Sequence, residues 1–328
     1  MTIDNRNSKI YSRLGQRGAI FGMAALDVAS KDEKFVLMTA DLATLSGMDR
    51  YIRTYPRQFI NVGIAEQNMV GVAAGLAAEG YHPVVTTYAT FLTMRACEQI
   101  RHYMGYMHLP IVAIGSGAGL SQGYAGNTHY TIEDLSMMRA IPGITIYSPA
   151  DAAAAVKLFE LALKKKEPCY IRLTGNLNCP IVYKEDVDFS QRGCMVCQGK
   201  EGAGYITIMA CGTMVATALQ VAELLSQIGL EATVLDMYRI KPIDEWAVAM
   251  ARQTNLIVTI EEHNILGGLG AAVAEVLSSY GHMATPPLLR LGIADTFNLA
   301  SNYERLLIQN RLVPDVIVED IVHVYKDL

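Results

Sequence analysis

The apolar residues of this chain fall into short runs that alternate with segments of helical spacing. The short runs are rich in β-branched and aromatic residues, and each is followed by residues typical of turns. Such alternation predicts a parallel sheet covered by helices on both faces. In the first half, the predicted strands are KFVLMTADL, HPVVTTYATF, LPIVAIGS, ITIYSPAD and PCYIRLTG. The predicted helices are GIAEQNMVGVAAGLAAEG, TMRACEQIRHYMGYMH, TIEDLSMMRAI and DAAAAVKLFELALKKKE.

A polar, irregular segment interrupts this pattern before it resumes. In the second half, the predicted strands are YITIMACGTM, LEATVLDMYRI and NLIVTIEEHN, separated by helices through ATALQVAELLSQIG and DEWAVAMARQT. A chain of 328 residues exceeds the usual size of one hydrophobic core. We therefore predict an α/β protein with two doubly wound domains, residues 1–185 and 201–328, joined by a linker over residues 186–200.

Composition and charge narrow the class of protein. The apolar fraction of 51% allows large buried surfaces, and the net charge of -5 is not accompanied by a basic block. Nucleic acid and anionic membrane are therefore not the expected partners. The sequence has no uninterrupted apolar run long enough to span a membrane and no apolar signal core near its start, so we expect a cytoplasmic protein.

The six cysteines do not predict a disulfide framework or a metal site. Cys194 and Cys197 form the one close pair, in CMVC. A zinc site would need a second close pair of Cys or His, and a redox pair would open a helix after a strand. The sequence around CMVC has neither feature, which favours an ordinary strand or linker pair.

Chemistry is expected at the ends of the predicted strands, because ligands bind at the carboxyl edge of a doubly wound sheet. Glu66 is notable there: it is the lone acid at the head of a mostly apolar run of about twenty residues. A carboxylate in the first turn of a helix is stabilised by the helix dipole, so a simple capping role would explain Glu66 by itself. Other polar and aromatic residues at strand ends are Asp41, Tyr88, Phe91, His129, Arg172, Thr174 and Asn176.

The order of the motifs resembles a known enzyme family. VGIAEQ, TTYATF and GNTH follow one another as in the pyrimidine-binding half of thiamine-diphosphate enzymes. MACGTMVATALQVAELL, VLDMYRIKPID and EEHNILGGLG extend the resemblance through the second domain. The chain thus resembles the C-terminal half of transketolases, with a pyrimidine-binding domain followed by a transketolase C-terminal domain. It is also similar to deoxyxylulose-phosphate synthases and to the β subunits of 2-oxo acid dehydrogenases.

The resemblance implies a role in cofactor activation for Glu66. In the family, this glutamate hydrogen-bonds the aminopyrimidine ring of thiamine diphosphate and so promotes loss of the proton from thiazolium C2. That role requires a carboxyl group in an apolar pocket, where its proton is shared with the ring rather than lost to water.

Further residues are assigned to the site by the same resemblance. Phe91 matches the aromatic residue that stacks on the pyrimidine, and Tyr88 matches a tyrosine of the synthases. Either could be a core aromatic residue instead. The remaining implied cofactor contacts are Asp41, Leu42 and Ile64, of which Leu42 would support the bent cofactor.

The substrate residues implied by the resemblance depart from the family pattern. His129 matches a histidine that contacts the substrate carbonyl and moves protons, and its usual pKa suits that work. Arg17 and Thr174 are the other expected substrate contacts. Thr174 stands where an arginine normally binds phosphate, and Gly115 or Ser116 stands where a histidine does. The chemistry is therefore expected to be retained, and the substrate to differ from an ordinary sugar phosphate.

The motif that holds the diphosphate and magnesium in this family, GDG followed by an asparagine, does not occur in the sequence. We therefore expect a split transketolase whose magnesium is held by an N-terminal partner subunit, in an α2β2 heterotetramer acting on small sugars. Two alternatives remain from the sequence. One is a β subunit of a 2-oxo acid decarboxylase or a deoxyxylulose-phosphate-synthase-like enzyme, and the other is a regulatory or scaffold relative without activity.

Overall fold

The computed structural model describes residues 2–190, 193–200, 205–281 and 285–328. Within them the chain forms two sheets flanked by helices. The strands are β1 Phe35–Thr39, β2 Phe59–Asn61, β3 His82–Tyr88, β4 Val112–Ala118, β5 Thr145–Tyr147, β6 Cys169–Thr174, β7 Cys194–Cys197, β8 Tyr205–Ala210, β9 Glu231–Asp236, β10 Arg239–Lys241, β11 Leu256–Asn264 and β12 Leu288–Ile293.

The α-helices are α1 Asn5–Ala19, α2 Ala25–Ala29, α3 Asp49–Thr54, α4 Glu66–Ala78, α5 Cys97–Gln99, α6 Asp134–Ala140, α7 Ala152–Lys165, α8 Met214–Gln227, α9 Glu245–Ala251, α10 Leu269–Ser279, α11 Tyr303–Gln309 and α12 Pro314–Lys326. Of these α-helices, α4 to α9 lie in the segments predicted to be helical, and the others were not predicted. Turns of π-helix occupy Ile20–Ala24, Phe91–Arg95 and Ile100–Tyr106, and short 3₁₀ turns occupy Thr44–Ser46, Pro56–Gln58 and Gly123–Ala125.

The first sheet has the strand order β10-β5-β6-β4-β3-β1-β2 and is parallel except at β10. Its central strands are buried on both faces. In β1, Phe35 and Leu37 pack into one apolar cluster, whereas Val36 and Met38 pack into the other. Because successive side chains of a strand point to opposite faces, this division shows that helices cover both sides of the sheet. The doubly wound architecture is therefore confirmed for the first domain.

The second sheet has the order β12-β11-β8-β9-β7, with β8, β9, β11 and β12 parallel. Strand β7 pairs antiparallel with β9 at the edge. This strand is the CMVC pair, and it lies inside the segment predicted to be a linker. Its cysteines are free, and burial raises the pKa of each thiol. The two residues are thus part of an edge strand of the second sheet.

Three local predictions differ from the structure. The run LEATVLDMYRI is two strands rather than one, because the chain leaves the second sheet after β9 and adds β10 to the edge of the first. The segment predicted as a regular helix over TMRACEQIRHYMGYMH contains two π-helical turns around the short helix α5. The polar N-terminal segment, for which no element was predicted, forms α1, and its packing against α7 explains why it is helical.

In the described part of the chain, no helix combines the length and the apolar character needed to cross a membrane.

Candidate active site

The predicted site residues follow strands that are neighbours in the first sheet. Strands β1, β2, β3, β4 and β6 are parallel, so the loops after them emerge at the same edge. Parallel sheets bind ligands at this edge, where the chain leaves the sheet.

Glu66 is the first residue of α4 and is 2% exposed. It follows the loop after β2, and the residue before it makes no side-chain cap to the helix. The N-terminal end of a helix dipole favours a negative charge there. The structure therefore supplies the buried setting that the cofactor role requires, together with a local reason for the acid to be stable.

Arg95 is the ion-pair partner of Glu66. Its Nη1 donates to both carboxylate oxygens, at 2.9 Å and 3.1 Å. The guanidinium also lies 4.1 Å from the centre of the Phe91 ring, in a cation–π contact. Both residues belong to the π-helical turn that follows β3. Such turns are often found at functional sites, because they change the direction of side chains within a helix.

Tyr88, Phe91 and His129 form an aromatic cluster. The ring centres of Tyr88 and Phe91 are 6.0 Å apart, and those of Phe91 and His129 are 5.4 Å apart. His129 also lies 5.7 Å from Tyr88. All three contacts are edge-to-face, the arrangement that aromatic rings favour. The structure therefore brings together three residues that are separated by up to 41 positions in the sequence.

His129 is half-buried on the loop after β4, and its Nδ1 lies 2.9 Å from the hydroxyl of Thr128. Its backbone N–H donates to the carbonyl of Gly126. The hydrogen bond at Nδ1 orients the ring and leaves Nε2 as the nitrogen available to a substrate.

The structure places Asp41, Leu42 and Ile64 on the neighbouring loops. Asp41 is exposed with a φ of 57°, and its N–H donates to Asn61, which also receives the N–H of Gly63. Leu42 is 5% exposed, whereas Ile64 is 75% exposed. Asn61 thus joins the loops after β1 and β2. The assignment of these three predicted residues to the cofactor remains a prediction.

Arg17 and Thr174 line one cleft of about 350 Å³ beside the aromatic cluster. Burial raises the pKa of Tyr88, Tyr124 raises it further, and the adjacent Arg17 guanidinium opposes the shift. Thr174 is 2% exposed, and its hydroxyl accepts from the N–H and hydroxyl of Thr213 in the second domain. Thr174 therefore joins the domains as well as lining the cleft. Its substrate role remains a prediction.

The second domain holds the loop that carries His129. The ends of this loop are joined by a β-bridge between Gly119 and Thr131. Glu262 of β11 accepts the N–H of Leu120 at 2.6 Å, and the hydroxyl of Tyr303 donates to its other oxygen at 2.6 Å. Burial raises the pKa of Glu262, and these hydrogen bonds oppose the shift. The position of the loop that carries His129 thus depends on both domains.

A second buried network lies beside that loop. Asp134, at the start of α6, accepts from Arg172 Nε at 2.8 Å and from the Tyr170 hydroxyl at 2.7 Å. His263 of the second domain accepts the N–H of Leu135 at Nε2. Burial lowers the pKa of His263 to about 4, despite the nearby Asp134. The imidazole is therefore neutral at pH 7 and joins the two domains as a hydrogen-bonding group.

Sequence reasoning missed three features of the site. The contact between Arg95 and Phe91 could have been predicted from their spacing, since residues four apart meet on a helix. The tether through Glu262 has none, because the contact spans 142 positions. Gln122, which lines the cleft and accepts from the hydroxyl of Tyr124, also lacks a distinguishing pattern.

Family models match both domains. A model of the transketolase pyrimidine-binding domain matches residues 17–179, and a model of the transketolase C-terminal domain matches residues 198–313. The boundary between these matches falls in the segment that contains β7.

Individual relatives agree with the family models. The chain is 39% identical to a 6-deoxy-6-sulfo-D-fructose transketolase subunit of a Clostridium species, over 83% of each chain. It is 33% identical to a 1-deoxy-D-xylulose-5-phosphate synthase of Caldanaerobacter subterraneus, over 94% of this chain and 49% of that enzyme. A solved structure of a split-gene transketolase, described as an inactive β4 tetramer, matches with 35% identity and a TM-score of 0.83. That match covers 95% of this chain and 98% of the solved one.

Proposed function

The chain belongs to the transketolase family, and from that premise we propose that it is one subunit of a thiamine-diphosphate-dependent ketol transferase. The reaction breaks the C2–C3 bond of a ketose and joins the two-carbon ketol unit to the carbonyl carbon of an aldehyde. The observation that carries this proposal is the buried Glu66 at one end of a continuous line of contacts through Arg95 and Phe91 to His129.

These residues fit the aminopyrimidine end of the cofactor. When bound, thiamine diphosphate would supply the nucleophilic carbon for cleavage beside a carbonyl group. Glu66 would share a proton with the ring nitrogen. The carboxyl group is only 2% exposed, so water would compete little for that proton. Phe91 and Tyr88 would contact the ring faces and edges, as aromatic side chains do.

His129 is proposed to move a proton at the substrate oxygen. Its Nε2 is free for that role because Nδ1 is engaged by Thr128. The edge-to-face contacts with Tyr88 and Phe91 hold the imidazole beside the position proposed for the cofactor. A histidine acts well as general acid and base near neutral pH.

We further propose that a partner subunit holds the diphosphate and magnesium. Two of the similar proteins support this: one is named as a subunit and the other as a split-gene product, and this chain covers 83% and 98% of them. The same similarities support a ketose donor and an assembly containing two or more copies of this chain, with α2β2 as the simplest form.

A second candidate is a synthase that starts from a 2-oxo acid. The similarity to 1-deoxy-D-xylulose-5-phosphate synthases, at 33% to 36% identity, favours it. Both activities need the same cofactor contacts, so the acceptor cleft and the donor decide between them.

The test begins with affinity capture of the tagged chain from its host and identification of the bound partner by mass spectrometry. The purified complex is then supplied with thiamine diphosphate, magnesium and an aldehyde, with either a ketose or pyruvate as donor. We expect transfer from the ketose without release of CO₂. Product formed only from pyruvate would support the synthase instead, and no reaction with either donor would contradict both proposals.

A further inference from the structure

The cleft beside Tyr88 is built from the N-terminal helix and the loops after β4 and β6. Its volume is about 350 Å³, and the residues that face it with polar groups include Arg17, Gln122, Tyr124 and Asn176. One glycine shapes its wall. At Gly15, where φ is +66°, a Cβ atom would lie 2.7 Å from the carbonyl oxygen of Asn176, so a side chain there would displace the cleft wall.

One buried hydrogen-bond donor in this cleft lacks an acceptor among the described residues, and a second side chain offers a further donor. Nη1 of Arg17 is buried and donates to no described residue. Gln122 is 4% exposed, and its Oε1 accepts from the hydroxyl of Tyr124 at 3.0 Å. That contact leaves the Nε2 hydrogens for the cleft, since the hydrogen bonds of the described residues do not use them. A buried donor without an acceptor is costly, so Nη1 of Arg17 points to a ligand with oxygen acceptors, to which Nε2 of Gln122 can also donate.

Tyr88 lies between the cleft and the groups proposed to react. The ring of Tyr88 contacts Phe91 and His129, whereas its hydroxyl faces Arg17 and Tyr124. A substrate with its carbonyl group at His129 would therefore extend past Tyr88 and place its far end in the cleft.

Among the described residues that line the cleft, Arg17 is the only charged one. The other polar groups are amides, hydroxyls and the phenol of Tyr124. A guanidinium neutralises one negative charge, and a second charge on the ligand would be left without a partner in a partly desolvated site. Phosphate monoesters carry a charge of about -1.5 to -2 at pH 7.

We propose that this cleft holds the far end of the substrate and selects ketoses whose far end carries a single negative charge, as in a sulfonate or a carboxylate. This inference rests on the proposed ketol-transfer function and names its substrate class. Arg17 supplies the charge, and Gln122 donates to an oxygen that does not face the guanidinium. Both residues determine specificity and take no part in bond cleavage.

The first experiment compares four ketose donors in the reconstituted complex. They share one carbon skeleton and carry a hydroxyl, a sulfonate, a carboxylate or a phosphate at the far carbon. We expect kcat/KM for the sulfonate or the carboxylate to exceed that for the hydroxyl and the phosphate by about tenfold or more, the scale of one charge-assisted hydrogen bond. The ratio of kcat/KM for the sulfonate donor to kcat/KM for the carboxylate donor shows which singly charged group the cleft prefers.

Two variants of the complex test the named residues. Gln122→Glu keeps the acceptor for Tyr124 but replaces the free donor by a negative charge, so all charged donors should lose about tenfold or more in kcat/KM and the hydroxyl donor should not. Asn176→Arg adds a second positive charge at an exposed position of the cleft wall, and it should improve the phosphate donor relative to the sulfonate donor. Because Asn176 is exposed, this variant tests the proposal even if Gln122→Glu fails to fold.

The matched control is Gln227→Glu, the same chemical change at an exposed position in α8. It should leave all four kcat/KM values unchanged. A wild-type preference for the phosphate, or the same donor ratios in both cleft variants as in the wild type, would overturn the substrate class while leaving ketol transfer intact. Failure to transfer from any of the four ketoses would overturn the proposed function itself.

Discussion

At the scale of single residues, Arg95 contacts the two groups that the proposed mechanism assigns to the cofactor ring, the Glu66 carboxylate and the face of Phe91. It bonds the two oxygens of Glu66 and lies over the ring of Phe91. Its side chain is 48% exposed, so it has a path into solvent. Cofactor binding would thus exchange one partner of Glu66 for another rather than fill a site whose polar groups are unsatisfied.

The first prediction concerns Glu66 in the reconstituted complex. Glu66→Gln keeps the size of the side chain but removes the proton that is shared with the ring, so kcat should fall by about two orders of magnitude or more. Cofactor affinity and kcat are both measured, because the variant is expected to bind the cofactor while turning over slowly. Glu79→Gln, at the exposed end of the same helix, is the control. Near wild-type turnover in Glu66→Gln would show that the assigned role is wrong.

The second prediction concerns Asp236 at the end of β9. Burial raises its pKa to about 8, although the Tyr183 hydroxyl donates to its Oδ2 at 2.7 Å. The folded pKa lies above the usual value of about 4, so the folded state binds the extra proton. The stability contributed by this group is therefore complete at pH values below 4 and is lost as the pH rises towards 8.

Asp236→Asn removes this titration and keeps an oxygen that can accept from Tyr183. The melting temperature of the variant, relative to the wild type, should be higher at pH 8 than at pH 5. Scanning calorimetry at the two pH values measures the difference. An equal shift at both values, or a larger gain at pH 5, would contradict the pKa assignment.

At the scale of elements, the loop of His129 is positioned by α11 and β11 of the second domain. Tyr303→Phe removes the hydroxyl that donates to Glu262 and should cost about 1.5–3 kcal/mol of stability. Because Glu262 also holds the N–H of Leu120, we expect kcat to fall while cofactor affinity is kept. The readouts are kcat, the cofactor dissociation constant and amide exchange across residues 119–131.

Tyr106→Phe is the control, since Tyr106 is 78% exposed and lies outside this loop. If Tyr303→Phe slows turnover without faster exchange in the loop, the tether is not the cause. A change in both, absent from the control, would support the assigned positioning role.

The central strands of both sheets were predictable because each contains enough apolar residues to be buried on both faces. The partly exposed edge strand β12 was not predicted. The exceptions have physical reasons. Strand β10 has only three residues, and its place in the first sheet depends on a partner almost a hundred positions away. The π-helical turn at Phe91–Arg95 has the same composition as a regular helix. The aromatic cluster could be predicted only through the family resemblance, since aromatic residues are more often core residues.

At the scale of the whole molecule, the cofactor site is proposed to lie between two chains. The pyrimidine contacts belong to this chain, and the diphosphate and magnesium contacts belong to the partner subunit. A diphosphate is normally anchored through magnesium and the oxygen ligands of that ion. The pyrimidine contacts of this chain alone should therefore bind thiamine diphosphate weakly. We predict that isothermal titration of this chain alone with thiamine diphosphate and magnesium gives no tight binding, whereas the complex binds. Tight, magnesium-dependent binding to the isolated chain would contradict the shared site.

The position of β10 has a consequence for recombining members of this family. The second domain supplies residues 239–241 to the sheet of the first, where β10 pairs with β5. A chimera that joined the first domain to the second domain of a distant homologue would therefore place a foreign strand on that sheet. The crossover would have to preserve the side chains that face β5, or the new edge would be poorly paired. Exchange of the complete chain between assemblies avoids this mismatch, so the subunit is the natural unit of recombination and each of its domains is not.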